Sequence, residues 1–149
     1  MDNKQVLALV NDLPWTQKAT IFLRVIDHVL NSFSTQVATQ EKCREAVKLC
    51  WSWLQDHSVE PDRLAYYLDS EEMQDGPLAE HLFVEGSLEQ DSLILVLLVV
   101  GFFAHEAYKQ AGRSKEMSAA ITEADEGAAE YIVDYIARVG LVDKLSTYL

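Results

Sequence analysis

Hydrophobic residues recur at steps of three and four along most of the chain, which is typical of amphipathic helices. Asp2 can cap an opening helix over residues 3–11, and Pro14 suits the first turn of a second helix over residues 14–33. A third helix is predicted over residues 37–56, with an apolar stripe that faces the core. The members of this stripe are Cys43, Ala46, Val47, Cys50, Trp51 and Leu54.

The two tryptophans of the third helix cannot both lie at the centre of one stripe. Trp53 follows Trp51 by two residues and is therefore about 200° around the helix axis from it. We expect Trp51 in the core. Trp53 either packs on a second surface, such as a neighbouring helix, or is partly exposed.

The next stretch is shorter and more polar. A fourth helix is predicted over residues 60–69, with Ser58 as its cap and Pro61 near its first turn. Residues 69–76 form a predicted acidic loop, and residues 77–85 a short helix that ends before a glycine.

A long central helix is predicted over residues 88–111, where Ser87 and Gln90 have the spacing of a capping box. Residues 93–104 are apolar all round. As a helix they extend about 18 Å, which is too short to cross a membrane. They therefore predict the buried centre of a bundle, with a buried strand as the alternative.

The remaining pattern completes an all-α fold. Residues 113–121 form a polar connection, Thr122 can cap a helix that ends at Gly140, and residues 141–149 form a short closing helix. The chain is long enough to bury a core without disulfides, so we expect residues 1–149 to be a single-domain helical bundle around the central helix.

The net charge of −12 is distributed unevenly. Residues 1–55 carry +1, residues 92–149 carry −3, and residues 56–91 carry −10, with Arg63 as their one Lys or Arg. Such a field repels nucleic acid and anionic membranes and attracts cationic partners. The alternative is a solvated face that only aids solubility.

No motif predicts catalysis, a cofactor or a metal. Each histidine adjoins an acidic residue, but adjacent helical residues point about 100° apart and make no ready dyad. His105-Glu-Ala-Tyr-Lys109 has Lys where a zinc-binding motif needs its second His. Cys43 and Cys50 are about 10 Å apart on one helix, too far for a disulfide, which suggests buried thiols in a reducing compartment. A catalytic site assembled across helices remains the enzymatic alternative.

A recognition surface is the remaining possibility, because aromatic residues ringed by charge are common in protein interfaces. The alternative places one tyrosine of the acidic segment in the core and the other on its rim. The proposed binding residues are Asp56, Glu60, Asp62, Tyr66, Tyr67, Asp69, Glu71, Glu72 and Asp75.

Three segments resemble a helical family of bacterial immunity proteins, the one numbered sixth among those of polymorphic toxin systems. They are Ala46-Val-Lys-Leu-Cys-Trp-Ser-Trp-Leu54, Leu64-Ala-Tyr-Tyr-Leu-Asp69 with its acidic continuation, and Ala104-His-Glu-Ala-Tyr108. The resemblance covers roughly residues 40–111.

Membership would imply a small, non-enzymatic cytoplasmic protein that needs no cofactor. Its partner would be the C-terminal toxin domain delivered by contact-dependent inhibition or a related route. Many such toxins are nucleases with basic surfaces, which an acidic protein would attract. The rival hypothesis is a helical adaptor or regulatory protein that self-associates through Trp53 and the tyrosines or acts through another partner.

Overall fold

A computed structural model describes residues 2–33, 36–76, 78–79 and 82–149, without the side chain of Asp75. Within these ranges the chain forms helices and no strands, which confirms the all-α prediction. The α-helices are α1 (Asn3–Asn11), α2 (Trp15–Ile26), α3 (Val37–Asp56), α4 (Pro61–Asp69), α5 (Glu71–Asp75), α6 (Leu88–Gln110), α7 (Ala119–Thr122), α8 (Ala128–Arg138) and α9 (Val142–Tyr148). Leu30–Phe33 and Ser114–Glu116 form 3-10 helices.

The central position of α6 confirms the predicted bundle. α4 and α8 make the most extensive contacts with α6, and α2, α3 and α7 also pack on it. By length and composition α6 could cross a membrane, but 67% of its most apolar 18-residue window is buried inside the protein. The segment is helical throughout, so the alternative of a buried strand is wrong.

Capping residues explain where two predicted helices begin. Asp2 forms a capping box with Gln5 at the start of α1. At the start of α6, the Ser87 hydroxyl accepts from the backbone N–H of Gln90 at 3.2 Å. The Gln90 side chain in turn accepts from the backbone N–H of Gly86 at 2.8 Å. These bonds satisfy N–H groups that a helix start leaves without partners.

Two predicted boundaries are wrong. α2 ends at Ile26, because the chain then tightens into a 3-10 helix that directs Leu30 and Phe33 to the core at a spacing of three. Thr122 caps no helix, since it is the last residue of α7, and α8 begins only at Ala128. The predicted helix over residues 77–85 includes Pro77, Glu80 and His81, which lie outside the described residues.

Trp53, and not Trp51, is the buried tryptophan of α3. Trp53 is 2% exposed, whereas Trp51 is half-buried. The Trp53 ring meets Trp15 edge-on at 5.6 Å and Phe103 edge-on at 6.1 Å. The prediction for Trp51 is wrong because α2 and α6 contact α3 on the side where Trp53 extends the stripe from Cys50.

Candidate protein-binding surface

α4 begins at Pro61, whose ring suits the first helical turn. The predicted cap Ser58 is wrong: Glu60 occupies the cap position and makes no side-chain hydrogen bond there. The backbone N–H of Ser58 instead donates to Asp56 Oδ1 at 3.0 Å. Hydrogen bonds from Ser58 lower the pKa of Asp56, so this exposed carboxylate stays charged at neutral pH.

The predicted acidic loop over residues 69–76 contains a short helix, α5. The side chain of Met73 is 1% exposed and anchors α5 to the core. This anchor leaves Glu71 and Glu72 exposed in the first turn of α5. Two carboxylates are thereby displayed on an ordered element next to α4.

The two tyrosines of α4 have different environments. Tyr67 is 3% exposed, and its hydroxyl donates to Glu45 Oε1 at 2.6 Å. Tyr66 is half-buried, and its hydroxyl donates to Glu72 Oε2 at 2.8 Å. Burial and the bond to Glu45 raise the pKa of Tyr67, and the bond to Glu72 raises that of Tyr66. Tyr66 lies on the rim and Tyr67 in the core, so Tyr67 offers a partner little surface.

Asp62 lies at the centre of a cluster that joins distant parts of the chain. Its carboxylate accepts from the Tyr108 hydroxyl at 2.8 Å and from Arg113 Nη2 at 3.0 Å and 3.1 Å. The hydrogen bonds from Tyr108 and Arg113 lower the pKa of Asp62, and burial together with Asp62 raises that of Tyr108 to about 12. Arg113 also pairs with Glu60 at 3.4 Å and Glu116 at 2.7 Å.

Arg113 therefore forms ion pairs with three carboxylates, and it partly neutralises the negative charge at the start of α4. It lies about fifty residues from Asp62 along the chain, within the predicted polar connection. Its sequence context contains no signal for this role. A basic residue in a polar connection is ordinarily solvated, and the packing of α6 on α4, which places Tyr108 beside Asp62, brings the two regions together.

Asp69 is held by a hydrogen bond from the Ser118 hydroxyl at 2.8 Å, which ties the end of α4 to α7. Asp62, Tyr66 and Asp69 follow one another at helical spacings of four and three, so they share one face of α4. Arg113 bridges Glu60 and Asp62, and the Tyr66 hydroxyl donates to Glu72. Hereafter, the acidic surface means the exposed carboxylates Asp56, Glu60, Asp62, Asp69, Glu71 and Glu72 with Tyr66.

The chemistry of the described site is that of ordered carboxylates paired with hydroxyl and guanidinium groups. In the part of the chain that the structure describes, no group of three or more His, Cys, Asp or Glu side chains could hold a metal ion. Both cysteines, within the described α3, are free and buried, and burial raises the pKa of the Cys43 thiol to about 12.

The structure is therefore that of a helical bundle with exposed carboxylates along one face of α4, a surface that would suit a partner with basic side chains. The comparison with protein families is more specific, because residues 17–139 match the model of the family described as Immunity protein Imm6. The match covers well over half of the chain, and the chain therefore belongs to this family of immunity proteins.

The family match confirms the resemblance seen in the sequence and extends it on both sides. It includes nearly all of α2 and continues to the end of α8. No curated protein and no solved structure matches the chain.

Proposed function

We propose that this protein binds a cognate toxin domain, delivered by a neighbouring bacterium, and neutralises it in the cytoplasm. The observation that carries the proposal is the family match over residues 17–139, because an immunity protein implies a toxin as its partner. Residues 1–149 act as one domain in this proposal. Inhibition needs no catalysis and no cofactor, since a bound protein can cover an active site or the route to it.

The acidic surface is the proposed contact. Residues 56–91 carry a net charge of −10, and α4 and α5 expose the carboxylates of Asp62, Asp69, Glu71 and Glu72 from this segment. Among the described residues, the ion pairs of Arg113 include Glu60 and Asp62, whereas no ion pair includes Glu71 or Glu72. The uncompensated charge of α5 favours a partner with a basic surface, as a nuclease toxin would have.

Reversing the charge of α5 tests this surface. We expect the triple variant Glu71→Lys, Glu72→Lys and Asp75→Lys to associate about tenfold more slowly at low salt with the toxin domain encoded beside this protein. Its association rate should also depend less on salt, because fewer opposite charges attract the partner. Stopped-flow measurements over a range of NaCl concentrations provide both quantities.

The matched control reverses three exposed carboxylates on other helices or their ends, namely Asp12, Glu41 and Asp143. It changes the net charge by the same amount and should leave most of the association rate intact. Equal rates for the wild-type protein and the α5 variant across the salt series would reject the acidic surface. Failure of the wild-type protein to protect cells that express the toxin domain would reject the proposed function itself.

The rival hypothesis of self-association loses two of its proposed anchors. Trp53 and Tyr67 are 2% and 3% exposed, so neither presents a ring to a second copy. Tyr66 remains half-buried at the rim, with its hydroxyl bonded to Glu72.

A further inference from the structure

An apolar groove of about 720 Å³ opens beside the acidic surface. Its floor is the face of α6 that carries Ile94, Leu97 and Leu98, and these side chains are only half-buried. α4 and α5 line the groove on one side, and α7 and α8 on the other. A volume of this size lies within the range of about 300–1,000 Å³ that is usual for binding pockets.

Gly101 contributes to the shape of the floor. A Cβ atom at this position would lie 3.0 Å from Leu68 Cδ2 and 3.3 Å from the Cβ of Ala124. Glycine therefore allows α4 and the segment after α7 to approach α6 closely at this level. The groove stays open on the adjoining turns of α6, where Leu97 and Leu98 are the side chains.

The walls are also apolar at their accessible edges. Ala120 is an exposed residue of α7, and Tyr131 on α8 is 64% exposed. A connected surface of leucine, isoleucine, alanine and tyrosine in a concave site is typical of a binding groove, whereas single exposed apolar residues are common on any protein.

The charges around the groove indicate what kind of partner it fits. Among its described lining residues Glu123 is charged, and none is Lys or Arg. Met73 and Gln74 line the groove from α5, the same short helix that displays Glu71 and Glu72. A partner that enters here therefore meets apolar walls and a carboxylate edge.

We propose that the groove receives apolar side chains of the toxin domain, flanked by Lys or Arg residues that meet the carboxylates of α5. This inference rests on the proposed function, and it assigns different roles to the two parts of the interface. The acidic surface accelerates encounter, while the groove holds the bound partner and slows its dissociation. Desolvated anchors at the centre of an interface usually act on the dissociation rate, and peripheral charges on the association rate.

Filling the groove is the first test. The Ala120→Trp variant places an indole at its edge, and Ala119→Trp places the same ring on the preceding residue, which is exposed but does not line the groove. We expect Ala120→Trp to dissociate at least tenfold faster from a catalytically inactive toxin domain encoded beside this protein. The association rate should change by less than threefold, and Ala119→Trp should behave like the wild-type protein.

Removing one wall is the second test, and it leaves the core in place. Because Tyr131 is 64% exposed, the Tyr131→Ala variant should fold normally. We expect it to dissociate about tenfold faster, whereas Tyr131→Phe retains the ring and should stay within twofold of the wild-type rate. Circular dichroism of each variant establishes that the helices are intact.

Each result has a definite meaning. Unchanged dissociation of both Ala120→Trp and Tyr131→Ala overturns the groove while the proposed function stands. A dimer that forms at high concentration and is abolished by Ala120→Trp, with toxin binding unaffected, assigns the groove to a second copy and also overturns the inference. A wild-type protein that neither binds the toxin domain nor protects cells from it overturns the function and the inference together.

Discussion

Trp53 is enclosed by aromatic rings from other parts of the chain. Besides Trp15 and Phe103, the imidazole of His57 stacks on its indole at 4.1 Å with an interplanar angle of 6°. His57 reaches this position because it ends α3 in the left-handed conformation, with φ at 57°. Trp51 has no comparable enclosure, since it is half-buried at the surface beside Asp27.

We expect Trp53→Ala to lower the free energy of unfolding by about 3–5 kcal/mol, because a large buried ring leaves a cavity. Trp51→Ala should lower it by less than half as much, since its ring already contacts solvent. Urea denaturation of both variants, followed by circular dichroism, measures the two changes. Equal losses would contradict the difference in burial.

Spacing alone could show that the two tryptophans point in different directions, but it could not show which one faces the core. Trp51 follows Val47 by four residues and Trp53 follows Cys50 by three, so either choice continues the pattern of steps of three and four. The choice is made by the positions of α2 and α6, which bring Trp15 and Phe103 to the side of Trp53. The rim position of Tyr66 and the buried position of Tyr67 were likewise left open by the sequence.

Among the helices, α4 is held by side-chain hydrogen bonds near both of its ends. Tyr108 and Arg113 hold Asp62 near its start, and Ser118 holds Asp69 at its end. The acidic face of α4 is therefore positioned by residues from three later segments. Pairs so far apart in sequence have no periodic signal, and for this reason the candidate carboxylates could be chosen from charge but their partners could not.

The cluster around Asp62 predicts a specific dependence of stability on pH. The pKa of Asp62 is lowered by the hydrogen bond from Tyr108 and then by Arg113, so the unfolded chain binds its proton more readily. The stabilisation is complete above the unfolded pKa of about 3.9 and is lost as the pH falls through the lower folded pKa.

We therefore expect Asp62→Asn to be less stable than the wild-type protein at pH 7, and the difference to shrink as the pH falls below about 4 towards the lower folded pKa. Thermal unfolding between pH 7 and pH 3 measures the difference. The control is Asp12→Asn, which removes an exposed carboxylate from the loop after α1, outside the cluster around Asp62. A constant difference between Asp62→Asn and the wild-type protein would show that Asp62 does not contribute through its charge.

Element boundaries were predicted well where a cap or a strong periodicity defines them. A cap, a strong periodicity or both define α1, α3 and α6, and the predicted limits of these helices differ from the observed ones by at most one residue. Residues 119–129 have neither, because five alanines there fit any face of a helix. The break between α7 and α8 depends on a local turn, in which Asp125 Oδ1 accepts from the backbone N–H of Gly127 at 2.9 Å.

For the whole molecule, the excess of negative charge opposes compaction while it favours association with a basic partner. The net charge is −12, and residues 56–91 alone carry −10. The core must therefore offset repulsion among carboxylates that lie close together on α4 and α5. Among the described carboxylates of α4 and α5, Asp62 forms an ion pair with Arg113, and Glu60 beside the start of α4 pairs with the same guanidinium.

We expect NaCl to raise the melting temperature between about 10 mM and 200 mM, because screening weakens this repulsion. The triple Lys variant of α5 should show a smaller rise. A parallel series in sucrose at matched osmolality distinguishes the screening of charges by NaCl from the general stabilisation that excluded solutes produce. A melting temperature that falls with NaCl would mean that ion pairs such as those of Arg113 outweigh the repulsion.

The apolar centre of α6 has a consequence for how the protein is made. During translation α2, α3 and α4 precede α6, so partners for part of its surface are already present when it leaves the ribosome. α8, which also packs extensively on α6, is synthesised later, and until then that side of α6 remains uncovered. A nascent chain that stalls once α6 has emerged from the ribosome, while α8 is still inside it, would expose this side to other chains and to chaperones. Prompt emergence of α8 would therefore shorten the time during which this side of α6 can associate with other chains.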